Sequence, residues 1–219
     1  MIPLRVTAYV SQAISLRDEL ALDALLMAMV ARRDNLPPLD VARNDGPFVP
    51  VLPIPIALSE CRRFYLCSHA RPAWEEKELR YKNRRPVIRE LATLSATNTS
   101  VNIATGPNKA YRVPYETGFL RGGRLDWWCI GDRAEIEALL SLCTRLGRNR
   151  GAGLGRVDRW EVEPCETWPG FPVCRDGAPL RPVPHDWPDA TESIVTEGVL
   201  MPPYSDALTL RSEFVRRAL

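Results

Sequence analysis

The sequence has few residues of the kinds that build metal centres. It holds only two histidines, His69 and His185, and its six cysteines form no CxxC pair. Zinc hairpins depend on such pairs, so the spacing argues against a zinc site. No hydrophobic run approaches the length of a membrane span, and the start MIPLRVTAYV lacks the cleavage site of a secretory signal. These absences predict a cytoplasmic protein with reduced thiols, no metal or other cofactor, and no membrane partner.

Charge of one sign is missing from each of two stretches, although the net charge of the chain is only +2. Residues 80–89, RYKNRRPVIR, contain five basic side chains and no acid, whereas residues 182–210 contain no lysine or arginine. The basic run indicates either a solvated face or a nucleic-acid contact. The acidic stretch indicates either a solvated cover over the body or a docking surface for a basic partner.

The first part of the chain predicts a strand followed by a helix. Residues 4–10 alternate between apolar and polar and are rich in β-formers, which is typical of a strand. Apolar residues at a helical period predict a helix within 17–33. Asp18 or Asp23 is the predicted N-cap of this helix.

The middle of the chain predicts two short strands and a hairpin. Residues 51–57 and 60–67 have the composition of strands, and two prolines place the first of them at a sheet edge. Residues 68–124 are polar and basic. Within them, two β-rich arms flank the turn signal TGPNK at 105–109, which predicts a basic β-hairpin.

A second helix and a final strand are predicted after the strand at residues 125–130. Asp132 is the predicted N-cap, with Glu135 in the reciprocal capping-box position, and Gly147 is the predicted C′ residue that ends the helix. Residues 157–163 predict the last strand. The apolar stripe of the helix consists of Ile136, Leu139, Leu140, Cys143 and Leu146.

This order of elements predicts an α+β fold class with a ferredoxin-like, RRM-like βαββαβ body over residues 1–164. The basic hairpin is an insertion at about 68–124, and a glycine-rich loop precedes the last strand. The proline-rich, acidic residues 165–219 are predicted to form an irregular extension that packs on the body, with a helix over 205–219.

The glycine-rich loop, LGRNRGAGLGRV at 146–157, suggests a phosphate contact. A dinucleotide-binding loop follows a strand and opens a helix, and the order here is the reverse. A P-loop requires Gly-Lys-Ser/Thr after the glycines, which this loop lacks. Two interpretations stay open: an ordinary surface turn, or a loop that brings backbone and arginines to a polyanion.

The basic run and the hairpin favour the polyanion interpretation, because aromatic residues that stack on bases, including Trp74 and Tyr115, lie between the basic ones. The predicted RNA-binding residues are Arg80, Tyr81, Lys82, Arg84, Arg85, Arg89, Asn98, Asn102, Lys109, Tyr111, Arg112, Arg148, Asn149, Arg150, Gly151, Gly153, Gly155 and Arg156.

Three segments carry a family resemblance: PLRVTAYVSQAISLRDELALDALLMAMVARR at 3–33, NTSVNIATGPNKAYRVPYETGFLRGGRLDWWCIGD at 98–132, and LGRNRGAGLGRVDRWEVEP at 146–164. They resemble RAMP proteins of CRISPR–Cas effector complexes. In particular, they are similar to the small subunit of type IV complexes, the counterpart of the handle-capping subunit of type I Cascade. The resemblance is weaker at EGVLMPPY, residues 197–204.

The resemblance implies a non-catalytic subunit that grips the 5′ handle of the CRISPR RNA. The hairpin within 80–115 would be its thumb, and residues 147–156 its glycine loop. The backbone subunit and the large subunit of the effector complex are the implied protein partners. The target DNA duplex would lie nearby, with a contribution of this subunit to reading the protospacer-adjacent motif.

Two rival functions remain open at the level of sequence. One is a metal-independent CRISPR-repeat RNA endonuclease, with His69 as general base assisted by Tyr81 and Lys82. His185 lies in the acidic tail, which is a poor place to bind RNA. The other rival is a scaffold that touches only proteins.

Overall fold

The computed structural model describes residues 1–16, 19–36, 52–84, 111–184, 186–190, 194–198, 200 and 212–216. The strands are β1 (Ile2–Tyr9), β2 (Leu20–Ala21), β3 (His69–Ala70), β4 (Trp74–Arg84), β5 (Tyr111–Leu120), β6 (Arg124–Gly131), β7 (Arg159–Pro164), β8 (Cys174–Arg175), β9 (Ala178–Pro179), β10 (Val183–Pro184), β11 (Ile194–Gly198) and β12 (Ser212–Arg216). The α-helices are α1 (Leu22–Arg33) and α2 (Arg133–Ser141).

A three-stranded antiparallel sheet of order β6-β1-β7 forms the centre of the body. One face of this sheet is apolar and buried, with Leu4 and Val6 from β1 and Trp127 from β6. Both helices contribute buried residues to the same core. The opposite face is polar: Arg5 and Thr7 donate hydrogen bonds to Oδ1 of Asp126, at 2.8 Å from Arg5 Nη2 and 2.7 Å from Thr7 Oγ1.

The α+β fold class is confirmed, whereas two of the predicted strands are wrong. Within the described part of residues 51–67 the backbone makes only isolated bridges, among them Ile56 with Gly131 and Cys67 with Cys129. Pro53 and Pro55 lack the N–H groups that a continuous ladder needs. A ferredoxin-like sheet has a full strand beside β6. The ferredoxin-like arrangement therefore stays a prediction.

The two helices differ in how far their predicted ends match the structure. At α1 the N-cap is Ala21, without a side-chain cap, so the predicted cap Asp23 is wrong, and Asp18 lies outside the described residues. At α2, Asp132 is confirmed as N-cap, because it accepts from the Glu135 N–H at 3.0 Å. The reciprocal half of the capping box does not form, since the Asp132 N–H donates to the Pro55 carbonyl instead.

The predicted end of the second helix is wrong. The helix ends at Ser141 with Leu142 as C-cap, so Gly147 is not its C′ residue. Cys143 and Leu146 are buried as predicted, but they lie beyond the helix. Beyond the helix, the Leu146 N–H donates to the Gly155 carbonyl at 2.7 Å, which closes the glycine-rich loop.

The predicted C-terminal helix over 205–219 is wrong for residues 212–216, which form strand β12 between β10 and β11. Phenylalanine and valine in this segment favour a strand. The extension also has a small core of its own, in which Val173, Cys174, Val183 and Leu200 pack with Phe64.

A buried ion pair connects the extension to α1. Arg181 and Asp23 each have 0% exposed side chain, with Arg181 Nη1 3.1 Å from Asp23 Oδ2. Nη1 also donates to the Tyr65 carbonyl at 2.7 Å, and Nη2 donates to the Leu200 carbonyl at 2.7 Å. One guanidinium therefore links the helix, residues 65–67 and the extension.

Candidate nucleic-acid interface

The insertion contains a two-stranded antiparallel hairpin formed by β4 and β5, paired from Trp74 with Leu120 to Arg84 with Tyr111. The second strand lies in the predicted hairpin region. The first strand overlaps the predicted basic run only at residues 80–84 and begins in the more acidic segment before it. In the described residues β5 pairs with β4, whereas the sequence predicted that it pairs with an arm just before residues 105–109. The turn itself lies outside them.

The hairpin is buried at its base and exposed farther out. Thr117 and Leu120 are buried, whereas Leu79 is 55% and Tyr81 is 57% exposed. Six residues of each strand, 79–84 and 111–116, lie outward of buried Thr117. At about 3.3 Å per residue they give an arm of roughly 20 Å. Both faces of this outer part are accessible to a ligand at the described side chains, since Leu79 and Lys82, on opposite faces, are both exposed.

Charge is graded along the hairpin. Near the base, Lys77 forms an ion pair with Glu116 at 2.6 Å, and Glu78 pairs with Arg80. Farther out, Lys82 is exposed and has no carboxylate partner among the described residues. The basic character of the hairpin therefore increases with distance from the body. Tyr115, the cross-strand neighbour of Arg80, is half-buried.

Two glycines seat the loop at 147–156 on the chain segment that precedes β2. A Cβ at Gly147 (φ 77°) would lie 2.4 Å from the Ser15 carbonyl oxygen, to which the Arg148 N–H donates at 2.7 Å. The Gly155 N–H donates to the Ala13 carbonyl at 2.9 Å, and a Cβ at Gly155 (φ 67°) would lie 2.0 Å from the Leu146 carbonyl oxygen. These close approaches explain why glycine is needed at both ends of the loop.

The tip of the loop is free of such contacts. A Cβ at Gly151 or Gly153 would meet nothing within 4 Å. Residues 150–152 form a 3₁₀ turn flanked by Asn149 and Gly153, both in the left-handed region. Arg148, Arg150 and Arg156 are exposed. The tip, rather than the whole loop, is thus the part that is available to a ligand.

Residues 13–16 bring the hairpin and the loop together. Ile14 pairs with Gly118 of β5 through two backbone hydrogen bonds of 2.9 and 3.0 Å. Ser15 Oγ donates to the Glu116 carbonyl at 2.7 Å, while its own carbonyl accepts from Arg148. One short segment therefore binds the hairpin on one side and the glycine loop on the other. Sequence reasoning missed this segment, since nothing in its composition marks it.

The structure places the predicted RNA-binding residues unequally. Arg80, Tyr81 and Lys82 lie on the hairpin, and the whole loop set from Arg148 to Arg156 is described. For three hairpin residues the structure describes only the backbone: Arg84, Tyr111 and Arg112. The remaining predicted residues lie outside the described part of the chain: Arg85, Arg89, Asn98, Asn102 and Lys109.

His69 lies in β3, away from the outer hairpin. Its Nδ1 is 2.9 Å from Glu19 Oε2, and Arg71 Nη2 is 2.5 Å from Glu19 Oε1. Burial alone would raise the pKa of Glu19, but the hydrogen bonds and charges of His69 and Arg71 hold it below its ordinary value. His185 lies outside the described residues.

The described residues contain neither a cluster of metal-ligating side chains nor a helix that could span a membrane. No group of three or more histidine, cysteine, aspartate or glutamate side chains in that part of the chain is arranged to hold a metal ion. The helices described in the structure are too short or too polar to cross a membrane.

Comparison with known families places the chain among CRISPR-associated proteins. It belongs to the Csf3 family, CRISPR type IV associated protein Csf3, whose model matches residues 56–215. The match includes the hairpin, the glycine loop and most of the extension. No curated protein matches the chain. The type IV CRISPR family predicted from the sequence is confirmed, and its placement among RAMP proteins stays a prediction.

Proposed function

We propose that this chain is a non-catalytic RNA-binding subunit of a type IV CRISPR effector ribonucleoprotein, and that it grips the 5′ handle of the CRISPR RNA. In this proposal the body is a ferredoxin-like RAMP domain. The hairpin acts as a thumb, and the tip of the glycine loop is a second point of contact.

The observation that carries the proposal is the junction at residues 13–16. It joins the base of the hairpin to the ends of the glycine loop, and these two elements are separated by about thirty residues of sequence, from Leu120 to the loop tip. A single-stranded nucleic acid presents a regular row of phosphates, so it can contact neighbouring basic elements at successive positions. The arrangement fits a bound strand better than either element would alone.

The exposed side chains provide both kinds of contact that single-stranded RNA requires. Lys82, Arg148 and Arg150 provide positive charge for phosphates. Tyr81, exposed over more than half of its surface, provides a ring for base stacking. This combination supports phosphate contacts with a contribution from stacking.

The same proposal assigns the protein partners. Membership of a type IV CRISPR family supports partners within an effector complex. We assign the backbone subunit and the large subunit to that role, with the target DNA duplex nearby and the protospacer-adjacent motif within reach. The handle position follows from the resemblance described above.

The experiment measures binding of CRISPR-repeat RNA to the purified protein over a range of salt concentrations. For single strands, log affinity falls with log salt by about 0.7 per phosphate contact. Lys82→Gln and Arg150→Gln should each reduce this slope by about 0.7. Arg133→Gln, which removes one exposed charge from α2, is the matched control and should leave the slope unchanged. A slope near zero for the unaltered protein would overturn the proposal.

One observation favours the nuclease as a second candidate. His69 is oriented by Glu19 and lines a cleft with Arg71, Arg121 and Arg124, groups that can stabilise a developing negative charge. Repeat RNA incubated with protein and chelator separates the two functions. Cleavage that disappears in His69→Ala would establish the nuclease and refute the non-catalytic role.

The scaffold interpretation makes a different prediction about the guide. A protein that touches only other proteins would keep the guide RNA in its complex after Arg84→Glu with Arg85→Glu. Under our proposal the double variant loses guide RNA, as measured by the RNA that co-purifies with the complex.

A further inference from the structure

An open cleft of about 590 Å³ lies at the root of the hairpin. Its walls come from four parts of the chain: the residues just before β4, the turn just after β5, the outer face of β6, and residues 179–180 of the extension. The polar and aromatic side chains that line it are His69, Arg71, Arg121, Arg124, Asp126 and Trp128.

The alternation of β6 explains how three of these side chains reach the cleft. Leu125 and Trp127 point into the core and are buried. Arg124, Asp126 and Trp128 occupy the intervening positions and face the other side of the sheet, where they line the cleft.

Cations outnumber carboxylates in the cleft. Its lining contains three arginines but one carboxylate, Asp126, which is 3.3 Å from Arg124 Nε. The charge of Arg71 is offset by Glu19, whose Oε1 lies 2.5 Å from Arg71 Nη2. Arg121 is exposed and has no carboxylate partner among the described residues. The cleft therefore carries net positive charge, with Arg121 as its most available cation.

We infer that this cleft binds one nucleotide of the RNA, with its phosphate on Arg121 and Arg124 and its base against Trp128. Guanidinium groups bind phosphate oxygens through charge-assisted hydrogen bonds, and an indole provides a surface for base stacking. The volume lies within the range of about 300–1,000 Å³ typical of small-molecule pockets. The inference rests on the proposed function and adds a specific nucleotide site to it.

The position of the cleft at the root of the hairpin supports binding of a nucleotide from the same RNA strand that the hairpin contacts. Arg71 precedes β4 by three residues, and Arg121 follows β5 directly. The Arg121 N–H donates to the Ala73 carbonyl at 2.7 Å, which joins the two ends of the hairpin. An RNA strand that runs along the hairpin toward the body thus reaches the cleft at the root of the hairpin. An acidic peptide would match the charge, and the experiment separates it from RNA.

The first arm of the experiment is crosslinking in the assembled effector complex. The guide RNA carries 4-thiouridine at single handle positions, and crosslinked peptides are identified by mass spectrometry after trypsin digestion. Cleavage after Arg124 and Arg133 releases Trp128 in the peptide LDWWCIGDR. We expect one handle position to crosslink to this peptide.

The second arm measures RNA affinity of variants. Loss of one base stack weakens binding by about 5- to 150-fold, so we expect Trp128→Ala to show such a loss and Trp128→Phe to recover most of it. Since Trp128 also contacts Trp168, at 5.7 Å between ring centroids, Arg121→Gln is the second variant. Exposed Arg121 has no role in the core, and its loss should reduce the salt slope by about 0.7, with Arg133→Gln as the matched control.

The outcomes distinguish this inference from the proposed function. Crosslinks confined to the hairpin and the loop, with unaltered affinity in Trp128→Ala and Arg121→Gln, would overturn the cleft and leave the proposed function standing. A crosslink from the cleft to an acidic segment of a partner protein, in place of RNA, would also overturn it. An unaltered protein that retains no guide RNA would overturn both.

Discussion

Arg181→Met is expected to destabilise the protein severely, because it removes the cation that joins the extension to α1. The guanidinium is fully buried and donates to Asp23 and to the carbonyls of Tyr65 and Leu200. Methionine has a similar length but offers none of these donors. The substitution therefore leaves one carboxylate and at least two carbonyl groups in the interior without Arg181 as their donor.

The size of the effect follows from those groups. Removal of one partner from a buried ion pair destabilises a protein by about 3–5 kcal/mol, and each buried acceptor that loses its donor adds about 1–3 kcal/mol. Apolar packing of the methionine offsets part of this loss. We expect a net loss of at least about 3 kcal/mol, a large part of the roughly 5–15 kcal/mol that stabilises a typical domain.

Urea unfolding followed by tryptophan fluorescence measures this loss as a shift of the midpoint at constant slope. Arg133→Met is the matched control, because Arg133 forms an exposed pair with Glu137 at 2.8 Å. Its removal should change the free energy of unfolding by about 0.5 kcal/mol or less. A loss below about 1 kcal/mol for Arg181→Met would refute the argument that this buried pair needs its partner.

The other predictions concern the loop glycines and the thiols. Gly155→Ala should lower the free energy of unfolding by about 1–3 kcal/mol, because at φ 67° its Cβ would lie 2.0 Å from the Leu146 carbonyl oxygen. Gly151→Ala should leave urea stability nearly unchanged, since its Cβ meets nothing within 4 Å. Cys61 is exposed and should react with Ellman's reagent in the folded protein. Cys129 should react only on unfolding, because burial raises its thiol pKa to about 12.

The raised pKa of Cys129 also fixes the direction of a pH effect. The unfolded thiol titrates near pH 8.5, so the stabilising contribution is complete below that value and decreases as pH rises toward about 12. Urea midpoints measured at pH 7 and pH 10 should show this decrease, and Cys129→Ala should reduce it. Equal losses in the unaltered protein and in Cys129→Ala would assign the effect to other groups.

For the loop glycines, equal free energies of unfolding of Gly155→Ala and Gly151→Ala would contradict the conclusion that Gly155 fixes the loop to the body.

The hairpin shows which strands the sequence pattern could predict and which it could not. The arm at Tyr111–Leu120 was predictable from its β-forming residues, but no strand was predicted over its partner, Trp74–Arg84, in which the sequence showed only the start of the basic run at residue 80. Alternation reveals a strand when one face is buried. In the outer part of this hairpin neither face is buried, as the exposure of Leu79 and Tyr81 shows, so the second strand left no periodic signal.

Long-range contacts set the other limit. Asp23 was interpreted as a helix cap because an aspartate near a helix start usually has that role. Its partner Arg181 lies 158 positions away, and no local pattern connects the two residues. The cleft had the same problem, since Arg71, Arg121 and Trp128 come together only when β6 and the hairpin root are assembled. Asp132 was predicted correctly because its cap depends on contacts three residues away.

The glycine loop contains two kinds of position, one in close contact with the body and one open to solvent. Gly147 and Gly155 fix the loop to the body, because the backbone of Ser15 and of Leu146 occupies the space where their side chains would be. The residues between Arg148 and Gly153 form the tip of the loop. A Cβ at Gly151 or Gly153 would meet nothing within 4 Å, so we expect substitutions there to leave the hairpin and the core in place. Related proteins are therefore expected to differ at the tip and to keep glycine at both ends of the loop.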